Sequence, residues 1–244
     1  MNGKKICTLI IGVTLIAGSI VVGVLNSTKD STVVKSNVNT SKQNVFVREV
    51  DGSTYNEHTL NIMGYEPFDY AQAMSFILSQ AKLSSHGIDG MNFNGITLEE
   101  HIINLNNVCY LEDVNPNIML AQQMLETGYY GYVGSVVTPS DYNFAGIGAI
   151  DSGNGCNGFK DNYEGQLAQA QHLKAYASTE DLNTELVDPR FEFVERGKAT
   201  TVAGLSKAWA SNENYGEHIT KLYTDMLNHE VDEDLVRQYK DKIY

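Results

Sequence analysis

The sequence predicts a mainly helical α+β domain, and three observations lead there. Apolar residues recur at helical spacing in several separate stretches. Helix-starting residues stand at the heads of two of them. One interval, Gly128 to Gly165, drops that period for Gly, Tyr, Asn, Asp and Ser, which reads as loops with a small β-hairpin. No repeat of 20 to 50 residues is present, so a solenoid is excluded.

The chain opens with Lys4 and Lys5, followed by an uncharged run from Ile6 to Leu25. A run of about twenty apolar residues is long enough to cross a bilayer, and lysines ahead of it orient the remainder outward. Residues 1–25 therefore read as a membrane anchor or signal segment of an exported protein. No A-x-A site follows and the run exceeds an ordinary signal core, which favours a single-pass anchor; cleavage would instead release the protein. Cys7, preceded by Lys5 and Ile6, lacks the context of a lipoprotein cysteine. Residues 26–45, rich in Ser, Thr, Asn, Lys and Val, read as a flexible spacer. Val45 to Val50 is either a strand on the domain or the end of that spacer.

The compact domain is expected over 46–230. Ala71, Met74, Ile77, Leu78 and Ala81 mark a first helix, and Ile102, Ile103 and Leu105 a second, opened by a capping box of Thr97 and Glu100. A third begins with Asn115 as N-cap and Pro116 at the first position, carries Ile118, Ala121, Met124 and Leu125, and ends at Gly128. Leu167, Ala170, Gln171, Leu173 and Lys174 mark a fourth, and helical spacing returns over Val202 to Trp209 and Ile219 to Leu227. Residues 231–244 form a charged tail, also read as helical.

Net charge is −13, which disfavours nucleic acid and any bulk attraction to acidic wall polymers; binding to a wall must come from a specific groove. Outside the N-terminal segment the cysteines are Cys109 and Cys156, either a disulfide in an oxidising exterior or two free thiols. The six histidines form no zinc-binding pattern.

Glu126 falls in the last turn of the third helix, before Tyr129 and Tyr130. The negative end of the helix dipole and burial beside Met124 and the tyrosines would both raise its pKa and make it a general acid. By position alone it reads as a solvated helix end rather than an acid. The segments LAQQMLETGYYG, YNFAGIGA, GQLAQAQHLKAYA and GLSKAWASNENYGEHITKLYTDML, in this order over residues 70 to 228, resemble the glucosaminidase family, the peptidoglycan-cleaving endo-β-N-acetylglucosaminidases of glycoside hydrolase family 73. The resemblance implies a lysozyme-like helical lobe and a small β-hairpin lobe flanking a glycan groove. It matches Glu126 to the catalytic glutamate, Tyr142, Asn143 and Phe144 to a groove segment, and Trp209 and Tyr215 to a C-terminal substrate-binding motif.

Taken singly, Trp209 is either a core anchor or a sugar platform, Phe144 reads as core, and Asn143 as a turn residue. The family's second carboxylate has no fixed position; Asp151, Asp161 and Glu164 are available, and Asp161 ranks first because it follows Phe159 and Lys160 where the chain leaves the hairpin. The reading implied is cleavage of the β-1,4 bond after N-acetylglucosamine in peptidoglycan strands, with no metal or organic cofactor. The cationic centre would be relieved by the substrate's acetamido group or by water on a second carboxylate about 6.5–9.5 Å away. Rivals are a lytic transglycosylase and a non-catalytic wall-binding scaffold. The anchor and spacer point to a local role near the membrane, with protein partners in a surface assembly.

Overall fold

The computed structural model describes residues 15–16, 19–20, 55–66, 69–149 and 158–243. The chain divides into two compact units, Met1–Arg48 and Glu49–Tyr244. In the first, β1 (Leu15–Ile16) and β2 (Ser19–Ile20) pair antiparallel, Leu15 opposite Ile20 and Ile16 opposite Ser19. These positions fall within the segment expected as a membrane anchor or signal. No helix among the described residues is long and apolar enough to cross a membrane. The rest of 1–25, the expected spacer and Val45 to Val50 lie outside the described residues.

The described residues of the second unit form six α-helices with short 3₁₀ turns between them. Asp69 caps α1 (Tyr70–Leu83) by accepting from the amides of Ala71 and Gln72, and the helix buries Met74, Phe76, Ile77 and Leu78. The capping box at Thr97 and Glu100 opens α2 (Leu98–Glu112) as expected. Asn115 caps α3 (Pro116–Glu126), in which every residue from Pro116 to Met124 is buried. Helix α4 (Asn162–Ala177) packs on α2, and α5 (Tyr215–Leu227) on α3. The tail forms α6 (Glu233–Ile243), which lies on α1 through buried Leu235. Val202 to Trp209, expected as helix, is a short 3₁₀ turn over Val202–Leu205 followed by tight turns. Gly204 sits against Ala199, where a Cβ would come within 2.6 Å of the Ala199 Cβ, and Lys207 adopts φ 68°; both hold the chain off a helical path.

Helix α2 is tied to the return chain by an ion pair. Lys174 of α4 donates to Glu112 at 3.0 Å with both side chains buried, and the amides of Asn183 and Thr184 and the Thr184 hydroxyl also donate to that carboxylate. Burial pushes the Glu112 carboxyl up, but these hydrogen bonds and the Lys174 charge outweigh it, and its pKa lies below the usual value.

The expected β-hairpin lobe is not found among the described residues between Gly128 and Gly165, where the unit's β pairing elsewhere is limited to isolated bridges. Among the described residues of this interval, side chains hold the turns. Asp141 accepts from the Thr138 amide at 2.7 Å to close a 3₁₀ turn at Pro139–Asp141, and the Asn143 amide both donates to and accepts from the Ile147 backbone at 2.9 Å. Such local bonds compete directly with strand pairing. Gly165 lets this loop lie on α4: a Cβ there would fall 1.8 Å from the Tyr142 carbonyl oxygen. Residues 150–157, with Asp151 and Cys156, lie outside the described residues. Cys109 is a buried free thiol whose Sγ is 3.3 Å from Met119 Sδ.

Candidate active site

Glu126 is the last residue of α3, half-buried. The chain then turns sharply: Gly128, Tyr129 and Tyr130 are all left-handed, with φ 56°, 59° and 64°. Two tyrosines in that region cost about 1–2 kcal/mol each. Tyr130 offsets this by full burial, with its ring 4.8 Å from Phe93 and its hydroxyl donating to Gln123 Oε1 at 3.1 Å. The corner thus ends α3 abruptly and leaves Glu126 facing the 143–149 loop.

The two carboxylate oxygens have different surroundings. Oε1 accepts a short hydrogen bond from the Tyr215 hydroxyl, and that hydroxyl accepts from Gln122 Nε2 at 3.0 Å. Gln122 lies one turn before Glu126 on α3, so one helix face presents both groups to Tyr215 at the start of α5. Oε2 has no hydrogen-bond partner among the described residues and faces Gly146, where a Cβ would stand 3.8 Å away. With φ +69° and no side chain, Gly146 leaves that oxygen accessible.

Burial raises the Glu126 pKa above the ordinary carboxylate value, and the Tyr215 hydrogen bond only partly opposes it. Burial, then the charge of Glu126 and the bond donated to it, push the Tyr215 phenol well up, so Tyr215 stays a donor. The raised pKa favours the protonated form of Glu126 relative to an exposed carboxylate, and the Tyr215 bond fixes the direction of its free oxygen.

Behind Tyr215 runs a buried chain of amides. Gln169 Nε2 donates to Gln122 Oε1 at 2.8 Å, Gln123 Nε2 donates to Gln169 Oε1 at 2.8 Å, and Gln123 Oε1 accepts from His101 Nε2 at 2.8 Å. His101 Nδ1 faces the amide nitrogens of Asn162 and Gln166, which makes it the acceptor and sets the Nε2–H tautomer. Burial lowers the His101 pKa to about 4, so it stays neutral and the chain carries no net charge. Each amide thus sets the orientation of the next, from α2 through α4 to the Glu126 carboxylate.

Of the expected site residues, the structure brings Glu126 and Tyr215 into contact. Trp209 is half-buried and lines a hollow of about 290 Å³ shared with Gly146–Ala149, His172, Tyr176, Arg190 and Phe193. Phe144 is buried against His101, with ring centroids 4.8 Å apart, and Asn143 is buried holding its own loop; these two support the site rather than face solvent. Tyr142 is half-buried in a left-handed conformation. Asp161 is the N-cap of α4, accepting from the Glu164 amide at 2.9 Å, and Glu164 pairs with Lys160 at 3.0 Å. Gln122, Gln169, His101, Tyr176 and Arg190 were not anticipated; only Gln122, four residues before Glu126, carried a positional signal.

A half-buried carboxyl with a raised pKa, one oxygen held by Tyr215 and the other open toward Gly146 beside an aromatic hollow, is an arrangement suited to general-acid chemistry. The glucosaminidase family model, described as mannosyl-glycoprotein endo-β-N-acetylglucosaminidase, matches residues 104–228, and the chain belongs to this glycoside hydrolase family. The match starts within α2 and includes Glu126, Tyr215 and the hollow's Trp209. The chain is also similar to an uncharacterized protein of Borreliella burgdorferi, 39% identical over 119 residues, which is 49% of this chain and 58% of that protein. It thus spans little more than half the length of that relative.

Proposed function

We propose that the protein is an exported peptidoglycan hydrolase that cleaves the β-1,4 bond after N-acetylglucosamine, with Glu126 as general acid. The observation that supports this best is the asymmetric hold on Glu126. Tyr215 occupies Oε1 and burial raises the pKa of the group, so the oxygen available to carry and deliver a proton is Oε2, toward Gly146. Protonating the leaving oxygen there lets the glycosidic bond break with positive charge spreading over the sugar ring.

Asp161 and Glu164 are engaged in a helix cap and an ion pair. That favours relief of the cationic centre by the substrate's own 2-acetamido oxygen, with water opening the resulting ring in a second step and the anomeric configuration retained. The same observation favours a second reading, a lytic transglycosylase, in which a hydroxyl of the substrate itself attacks. Digestion of purified sacculi separates the two. Hydrolysis gives fragments ending in reducible N-acetylglucosamine, whereas transglycosylation gives anhydromuramic ends lighter by one water. No release of fragments by the folded chain would remove both readings. The setting proposed is outside the membrane, reached through the N-terminal segment; protease added to intact cells should then degrade the domain.

A further inference from the structure

The hollow beside Glu126 has features that cleavage of a neutral glycan does not require. Its floor is aromatic: the Trp209 and Tyr176 rings lie 5.7 Å apart at 45°, and His172 stands edge-on to both, at 4.8 and 5.3 Å. His172 is held by Asp188 at 2.6 Å, so the three rings form a fixed surface. One wall is the Gly146–Ala149 backbone that Glu126 Oε2 faces, which puts the hollow next to the reacting position. On the other rim stand Arg190 and Phe193, both exposed, with the guanidinium 4.4 Å from the Phe193 ring centre. Among the described residues Arg190 is in no ion pair. The nearby carboxylate of Asp188 is taken by His172 and by the Arg190 backbone amide.

An unpaired arginine stacked on an aromatic ring is oriented but uncompensated, and it is suited to a planar anion. In a protein of net charge −13, an acidic ligand needs such a local cation. Resting on the peptidoglycan reading above, we propose that this hollow is a subsite for a carboxylate-bearing sugar of the glycan. The ring face packs on Trp209 and Tyr176, and the carboxylate lies on Arg190. In peptidoglycan that carboxylate has two sources, the lactyl ether of a peptide-free N-acetylmuramic acid or the acidic peptide attached to it.

Trp209 is the sole tryptophan, so its fluorescence reports occupancy of this hollow directly. Full-length Glu126→Gln protein, which blocks turnover, is titrated with N-acetylglucosaminyl-N-acetylmuramic acid, with its lactyl methyl ester and with the peptide-bearing disaccharide. The acid should shift Trp209 emission and bind about three- to tenfold tighter than the ester. Adding Arg190→Gln should abolish that difference, with Arg190→Lys restoring part of it. Arg190-dependence only for the peptide-bearing ligand would assign the carboxylate to the stem. Arg190 is exposed, so its replacement leaves the fold intact, checked by circular dichroism. The proposal is overturned if Arg190→Gln weakens acid and ester alike, if binding seen by calorimetry leaves Trp209 unmoved, or if no ligand binds at millimolar concentration. Because binding is read without turnover, a hollow that binds in a wild-type chain that releases no sugar would sink the hydrolase reading alone. Cleavage without Arg190 discrimination would sink only the subsite.

Discussion

Tyr215→Phe removes one oxygen and thereby two hydrogen bonds of unequal kind. The bond donated to Glu126 stabilises the charged carboxylate; without it the Glu126 pKa, already raised by burial, rises further. The bond accepted from Gln122 leaves a fully buried amide hydrogen without a partner, which costs about 1–3 kcal/mol. For a domain of this size that corresponds to a fall of about 2–4 °C in Tm per kcal/mol. Activity should drop about 10–100-fold, because the acid loses the contact that aims it. The direction of the pH effect is fixed by sign. Glu126 acts while protonated, so the rate falls as pH rises through its pKa, and the variant's alkaline limb should move to higher pH. In stability the raised pKa acts the same way: its contribution is complete below the unfolded value and is lost as pH rises through the folded one. The assay is a pH profile of kcat/KM alongside thermal unfolding. The double variant Gln122→Leu/Tyr215→Phe exchanges one orphaned donor for another, because Gln169 Nε2 then loses its Gln122 Oε1 acceptor, so it should recover neither the lost stability nor the lost activity. A Tyr215→Phe enzyme with an unshifted alkaline limb and unchanged Tm would refute the coupling.

Two further outcomes follow from named contacts. Asp161→Asn keeps an acceptor for the Glu164 amide and should retain the cap and activity within a few-fold, while Asp161→Ala should cost about 0.5–2 kcal/mol of stability; a folded Asp161→Asn protein with activity reduced a hundredfold would instead make Asp161 the second carboxylate, with inversion at the anomeric carbon seen by early-time NMR. Lys174→Met leaves the Glu112 carboxylate buried without its cation and should destabilise by about 3–5 kcal/mol in denaturant unfolding near neutral pH. Since the Glu112 pKa is lowered by folding, its contribution is present above the unfolded value and is lost as pH falls through the folded one, so the gap between wild type and variant should narrow in acid.

Local chemistry was legible where a single turn decides the outcome. Thr97 with Glu100 and Asn115 with Pro116 start helices because their side chains or ring meet the free amides of the first turn, a rule that needs no tertiary contact. That Glu126 and Tyr215, 89 residues apart, belong to one site came from the family's motif order and not from any local pattern. The expected hairpin has no ladder among the described residues of its interval, because short apolar runs between glycines suit strands and turns equally and the Asp141 and Asn143 side chains hold residues 138–147 in turns. The amide chain was illegible for a different reason. Glutamines on a helix ordinarily mark a solvated face, yet α4 is buried on nearly all sides, so Gln166 and Gln169 give no periodic signal. Arg190 and Phe193 lie in a loop segment without period, and only the packing of Trp209 on His172 shows that they share a hollow.

The most direct measurement is turnover of peptidoglycan by Glu126→Gln. Glutamine fills the same space and accepts from Tyr215, so folding and Trp209-reported binding should persist while kcat/KM falls about 10²–10⁴-fold at every pH, because no acid proton remains on the position facing Gly146. A folded Glu126→Gln protein that releases N-acetylglucosamine-terminated fragments at near the wild-type rate would contradict the assignment of Glu126 as the acid.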